Sequence, residues 1–152
     1  MRLFRIQIVS LIFLLSMICI DGFATGHQQH SIVLVSNQNL DIDELSPIEV
    51  RKLFLGVPVM VGGKQLNPLR NSTDPLLTEI FLQKIVFMSE RSYERVLLSR
   101  IYRLGGKRPE IVTDKSELEK QLSSSPRSLT YMWAGDATGL KSLGVLWSGP
   151  IN

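Results

Sequence analysis

Cysteine and histidine are almost absent from this chain of 152 residues, and their scarcity limits its chemistry. The one cysteine, Cys19, lies inside an apolar N-terminal segment, and the two histidines, His27 and His30, follow that segment closely. The rest of the chain therefore has no disulfide framework, no thiol nucleophile and no thiolate metal site. It also lacks a histidine that could serve as the base for a serine or cysteine nucleophile. We therefore expect a protein that is not an enzyme.

Motifs that bind metals, cofactors or nucleic acid are equally scarce. His27 and His30 are close enough in sequence to share a metal, but no third ligand lies nearby, and a frayed polar tail over residues 25–30 is the favoured interpretation. The acidic segment 41–44 lacks the glycine turn and ligand spacing of a calcium loop, which favours a solvated face. A formal net charge of +3 is too small to favour nucleic acid. We expect no metal, no cofactor and no nucleic-acid partner.

The first 24 residues have the composition of a cleaved secretory signal peptide. A start that contains two arginines precedes an apolar run over residues 6–20, and small residues follow up to Ala24. The run has roughly 15 residues, which is short of the ~20 that cross a bilayer, so an uncleaved anchor is the less favoured alternative. We therefore expect residues 1–24 to be removed and residues 25–152 to form one periplasmic domain.

Strand and helix patterns alternate along the remainder of the chain. Runs rich in β-branched or apolar residues predict strands over 31–35, 57–61, 65–69, 110–112, 128–132 and 143–147. Capping residues and apolar stripes predict helices that begin after Ser46, after Thr73 or Asp74, after Ser89 and after Ser116. This alternation predicts an α/β fold in which a central mixed sheet is flanked by helices on both faces.

One stretch places groups that anions favour beside a helix start. Ser46 and Glu49 form a capping box for a helix that ends at Gly56, where a left-handed residue is needed. A glycine turn and a strand follow, and the strand ends at Arg70. The polar turn 71–74 then opens the next helix. An arginine and two hydroxyl groups therefore stand beside backbone N–H groups that have no partner within the helix.

Five short motifs follow one another in this region and beyond it. They are Leu45 to Gly56, Gly62 to Leu69, Arg70 with Ser72, Thr73 and Phe81, Tyr93 to Pro109, and Pro126 to Met132. In this order they resemble the phosphate-type family of periplasmic solute-binding proteins, whose members are longer clamshells of two lobes. The resemblance implies that this short chain is a single lobe of a type II periplasmic-binding-protein-like fold.

The resemblance also implies an oxyanion site. Arg70, Ser72 and Thr73 would bind phosphate or a similar small anion, since a guanidinium can hold phosphate through two parallel hydrogen bonds. Ser36 and Asn37 follow the first strand, where open α/β sheets place ligand-binding loops, and the corresponding loop of the family faces the ligand. The implied function is weak anion binding linked to phosphate ABC transport, with the ligand enclosed by a homodimer or a membrane transporter.

An alternative function remains open on the same residues. The family's glycine between serine and threonine is missing here, and Asp74 follows Thr73 at once, where its charge would repel an oxyanion. The alternative is a ligand-free interaction or sensory module that docks on a membrane sensor or another envelope partner. Arg70 would then pair with a surface acid, and Thr73 or Asp74 would only cap the helix.

Two further groups of residues have a structural and a functional interpretation. Trp133, with Tyr131 and Asp136 nearby, is expected to cover the core rather than to form a binding surface. The third helix and its exit carry six basic residues: Arg91, Arg95, Arg100, Arg103, Lys107 and Arg108. A solvated face paired with Glu90 and Glu94 is favoured over a docking surface for an acidic partner or lipid headgroups.

Overall fold

The protein is described by a computed structural model that covers residues 29–151. Its strands are β1 (Gln29–Ser36), β2 (Met60–Val61), β3 (Lys64–Gln65), β4 (Asn67–Asn71), β5 (Glu110–Val112), β6 (Ser128–Trp133) and β7 (Lys141–Pro150). Its α-helices are α1 (Pro47–Phe54), α2 (Pro75–Phe81), α3 (Glu90–Leu104) and α4 (Lys115–Ser124). A π-helical turn, Leu82–Val86, extends α2, and a short 3-10 helix, Ala134–Asp136, follows β6. None of these helices combines the length and apolar character needed to cross a membrane.

Five strands form one mixed sheet in the order β5-β4-β6-β1-β7. Strand β4 is parallel to both β5 and β6, whereas β1 runs antiparallel to β6 and to β7. Strands β2 and β3 form a separate hairpin. The predicted mixed α/β architecture is therefore confirmed, with an antiparallel strand inside an otherwise parallel sheet.

Both faces of the sheet are covered, because β1 alternates its apolar side chains between two cores. Ile32 and Leu34 face a larger core formed with α1, α2 and α3. Val33 and Val35 face a smaller core formed with α4. Arg70 lies on the first face and its neighbour Leu69 on the second. This alternation decides which helix each site residue can reach.

Helix α1 has the predicted signals at both ends. The Ser46 hydroxyl accepts a hydrogen bond from the Glu49 N–H at 3.3 Å, and the Glu49 carboxylate accepts one from the Ser46 N–H at 3.0 Å. These bonds satisfy N–H groups that the helix leaves free. At the other end Gly56 adopts a φ of 75°, as the left-handed stop requires. The apolar stripe over Val50 and Phe54 is buried.

Some predicted details are wrong. Helix α4 is capped by Asp114, whose carboxylate accepts the Glu117 N–H at 2.9 Å, and not by Ser116. The apolar spacing of α3 places Leu104 on the same face as Tyr93 and Leu97, but Leu104 is 76% exposed, since the helix ends directly after it. His30 belongs to β1 and is not part of a frayed tail. The predicted signal peptide, residues 1–24, lies outside the described part of the chain.

Candidate functional site

The turn after β4 lies at the carboxyl ends of β4 and β6, and Asn71 organises it. The Asn71 carboxamide donates to the Tyr131 carbonyl at 3.0 Å, and its Oδ1 accepts from the Thr73 N–H at 3.0 Å and the Thr73 hydroxyl at 2.7 Å. The Tyr131 hydroxyl donates to the Asn71 carbonyl at 2.8 Å. Asn71 is only 2% exposed. The turn is therefore fixed by buried hydrogen bonds, and the Thr73 N–H and hydroxyl are already used within it.

Asp74 occupies the start of α2. Its Oδ1 accepts from the Leu76 N–H at 2.8 Å and the Leu77 N–H at 3.4 Å. The indole N–H of Trp133 donates to Oδ2 at 2.8 Å. This indole hydrogen bond, helped by those from the two helix N–H groups, holds the pKa of Asp74 below its usual value. A fixed carboxylate therefore takes the helix donors that an oxyanion would use.

Arg70 points away from this turn and toward α3. Its Nη1 donates to Glu94 at 2.6 Å and its Nη2 donates to Glu90 at 2.8 Å. The guanidinium carbon lies 5.0 Å from the centre of the Tyr93 ring, and the arginine side chain is 5% exposed. Glu94 also pairs with Arg108. The charge of Arg70 is thus neutralised by carboxylates, and only its buried Nε lacks a hydrogen-bond partner.

Ser72 and Thr73 line two different cavities on either side of the turn. Ser72 borders a cavity of about 570 Å³ whose charged lining residues are Glu79 and Glu90. Thr73 borders a cavity of about 270 Å³. Its charged lining residues are Asp74, Lys115, Glu119 and Asp136. Lys115 is paired with Asp136 at 2.9 Å, and that hydrogen bond raises the pKa of the lysine. Both cavities are net acidic, which disfavours an anion.

Ser36 and Asn37 lie at the opposite end of the sheet's strands from the turn after Arg70. Because β1 is antiparallel to β6, Ser36 pairs with Leu129 near the amino end of β6. The Asn37 carboxamide donates to the carbonyl of Leu122 at 3.1 Å, and the Ser36 hydroxyl donates to the Asn37 carbonyl at 3.0 Å. Both side chains are buried. The five residues predicted to bind ligand are therefore not brought together around one small anion.

The aromatic residues near the turn mainly hold the core. Tyr131 is fully buried and stacks on Phe81 with ring centres 3.6 Å apart. Burial is the main reason that the pKa of Tyr131 is raised. Trp133 is partly buried, packs against the core and holds Asp74. These positions agree with the expected role of Trp133 in covering the core. In addition, its indole N–H holds the carboxylate of Asp74 in place.

The remaining candidate clusters form no metal site in the described part of the chain. No group of three or more histidine, cysteine or acidic side chains converges within residues 29–151. Asp43 pairs with Lys141 at 3.1 Å, and Asp41 and Glu44 are exposed. His30 lies against the ring of Trp133 with centres 5.7 Å apart. The second histidine, at position 27, lies outside the described residues.

The sequence does not predict two sets of contacts at this site: those of Arg70 with two carboxylates, and that of Trp133 with Asp74. The sequence pattern favours pairing of Glu90 and Glu94 with basic residues of their own helix, whereas in the structure both bind Arg70. Their spacing of one helical turn was the available signal, since it places two carboxylates on one face. The contact between Trp133 and Asp74 joins residues 59 positions apart, and no local pattern indicates it.

The fold resembles that of solved phosphate-transport proteins. PstS from Borrelia burgdorferi matches over 81% of this chain and 50% of its own, with a TM-score of 0.57 and 15% sequence identity. An ABC-type phosphate transport receptor from Vibrio cholerae matches over 81% and 49%, with a TM-score of 0.57 and 12% identity. No protein-family model matches the chain, and no curated protein does either.

The chain spans about half the length of these solved structures. At such low identity the likeness concerns the fold alone, and the order of motifs noted in the sequence agrees with it. The predicted resemblance is confirmed at that level. The protein therefore has, as a mixed sheet flanked by helices, the fold of the phosphate-binding proteins that serve ABC transporters.

Proposed function

We propose that this protein is a non-catalytic interaction module that docks on an envelope partner and does not capture free phosphate. One observation carries the proposal: the cavities on both sides of the turn after β4 are lined by more carboxylates than cations. An oxyanion placed there would be repelled, and the helix donors that could bind it already hold Asp74. The acidic lining of these two cavities instead complements a basic segment of a partner protein.

The proposed location is the periplasm, after export and removal of residues 1–24. The phosphate-transport proteins that share the fold support this location, as does the composition of the N-terminal segment. A sensor or transporter in the membrane is the kind of partner that we propose.

Weak oxyanion binding is the second candidate. Ser72 favours it, since its hydroxyl makes no hydrogen bond with any residue in the described range and borders the larger cavity. The turn also lies at the carboxyl ends of parallel strands, where α/β sheets bind ligands. Arg70 and Thr73 would contribute only if they exchanged their present partners for the anion, and Ser36 and Asn37 would need a second, separate contact.

Isothermal titration with phosphate and sulfate separates the two candidates. We expect no binding heat at millimolar anion for the natural protein. In Asp74→Asn the carboxamide can still cap α2 but the negative charge is gone, so we expect weak phosphate binding to appear. Asp114→Asn makes the same change at the start of α4 and should bind no phosphate. Saturable binding by the natural protein would instead establish the second candidate.

Docking is tested by capture from a detergent-solubilised envelope extract. We expect a partner that elutes with salt and is not displaced by phosphate. Glu79→Lys and Glu119→Lys reverse charges at the two cavities and should each weaken capture, whereas Glu44→Lys, an exposed acid outside both cavities, should not. Equal capture by all three variants would contradict docking at the two cavities.

A further inference from the structure

Helix α3 presents an unusual outer face. Arg91, Arg95, Leu98 and Tyr102 are spaced by four, three and four residues, so they form one line along the helix. The opposite side of the same helix buries Tyr93 and Leu97 in the core. Leu98 is 46% exposed and Tyr102 is 89% exposed. Apolar and cationic side chains therefore share the solvent face, where a surface helix normally carries mixed charges.

The cations of this face are not neutralised within the described part of the protein. Of the six basic residues predicted to form the face, Arg108 alone makes an ion pair with a described residue. Its partner Glu94 is shared with Arg70, and Glu90 is also held by Arg70. The expected pairing of these basic residues with Glu90 and Glu94 is therefore wrong for all but Arg108, because the buried Arg70 holds both acids. On the outer face, Arg91 and Arg95 remain without an acidic partner among the described residues.

The side chains of this face suit a boundary between water and lipid. Helix α3 has 15 residues, which at ~1.5 Å per residue gives a ridge of about 22 Å. Arg91, Arg95, Leu98 and Tyr102 are all exposed along this ridge. Tyrosine and arginine are both suited to a boundary between water and lipid, where an apolar stem is buried and a polar end meets the headgroups.

We propose that the outer face of α3 docks on a bilayer containing anionic phospholipids. Arg91 and Arg95 would hydrogen-bond the headgroup phosphates, and Leu98 and Tyr102, farther along the same line, would enter the headgroup layer beside them. The occupant is a lipid surface because two arginines without an acidic partner among the described residues and two exposed apolar side chains follow one another along one line of the helix. Both kinds of side chain suit the boundary between headgroups and water. An acidic protein would match the charge of the two arginines, and the binding of vesicles without any other protein distinguishes it from a lipid surface.

Vesicle co-sedimentation tests this proposal. The purified exported protein is mixed with phosphatidylcholine vesicles, or with vesicles that also contain about 30% phosphatidylglycerol. We expect binding to the anionic vesicles only, and loss of binding at high salt. Binding to neither kind of vesicle, or equally to both, would overturn the proposal.

Variants locate the surface. Arg91→Glu with Arg95→Glu should weaken binding at least tenfold. Lys52→Glu with Lys64→Glu makes the same change in net charge at exposed positions on α1 and β3 and should weaken it much less. Both double variants have the same residues before position 29 and the same net charge. If the protein attached through those residues, or through its net charge alone, the two variants would bind vesicles equally, and this would overturn the proposal.

The apolar contribution needs its own variant. Leu98→Ser with Tyr102→Ser keeps every charge, and we expect it to weaken binding several-fold because less side-chain surface enters the headgroup layer. Unchanged vesicle binding would mean that only the arginines contribute, and it would overturn the proposal that Leu98 and Tyr102 enter the headgroup layer. Circular dichroism of each variant checks that the fold is retained. If an acidic protein were the true partner, anionic vesicles would fail to bind even the natural protein.

Discussion

Arg70 shows how the charges around a single side chain decide what that side chain can do. A buried guanidinium must be neutralised, and here Glu90 and Glu94 neutralise it at hydrogen-bond distance. Burial would by itself lower the pKa of Arg70, but these hydrogen bonds outweigh it and the pKa is raised. Tyr93 beneath the guanidinium has its pKa raised by burial to about 12, so it stays neutral at ordinary pH. The arginine is therefore held charged inside the protein and is poorly placed to meet a free anion.

Replacement of Arg70 tests this structural role. We expect Arg70→Ala to lower the free energy of unfolding by about 2–4 kcal/mol, because the carboxylate of Glu94, 28% exposed, loses its buried partner. Glu90 is 70% exposed and regains water, which limits the loss. Arg95→Ala removes an exposed arginine from the same helix and should change stability by less than about 0.5 kcal/mol. Urea unfolding measures both, and equal effects would contradict a structural role for Arg70.

At the scale of elements, the end of α1 packs closely against α3 and against the segment that follows α3. Gly56 ends α1 with a φ of 75°, and a Cβ built on it would lie 3.0 Å from a methyl carbon of Leu97. Gly63 in the β2–β3 turn has nearly the same φ, 74°, but nothing within 4 Å of such a Cβ. The two glycines thus share their backbone conformation and differ in their surroundings.

An alanine at each position separates strain from packing. Gly63→Ala should cost about 1 kcal/mol, since it adds only left-handed strain. Gly56→Ala should cost about 2–3 kcal/mol, since it also presses on α3. Thermal or urea unfolding of both variants gives the difference. Equal losses would mean that α3 yields to the added methyl group and that the junction is not tightly packed.

At the scale of the whole molecule, β1 is the strand on which the other parts depend. It pairs with β6 on one side and β7 on the other, and its side chains enter both cores. The β2–β3 hairpin has two residues in each strand, and β5 has three at the edge of the sheet. Stability should therefore be uneven across the fold.

Hydrogen exchange tests this unevenness. We expect the slowest amide exchange in β1 and β6, where opening requires disruption of both cores. The amides of β2, β3 and β5 should exchange orders of magnitude faster, because local fraying exposes them without global unfolding. Native-state exchange followed by NMR measures each amide. Uniform protection across all strands would contradict the central role of β1.

The sequence by itself determined most of the elements of this protein, because their signals are local, but it merges β3 and β4 into one strand and does not indicate the π-helical turn after α2. The capping box of α1, the stop at Gly56 and the alternation of strands with helices depend on neighbours within a few residues, and they gave the mixed α/β fold correctly. The tertiary structure alone decided the site. Whether Arg70 meets an anion or two carboxylates depends on α3, some 20 residues away.

The same holds for the position of the predicted loops. Ser36 lies at the end of β1 and Thr73 lies just after β4. Only the antiparallel direction of β1 shows that the two residues lie at opposite ends of the sheet's strands. Strand direction is set by long-range pairing and by burial on both faces, which no short sequence window contains. The chain's local chemistry thus fixed what its elements are, and their packing fixed which charges face one another.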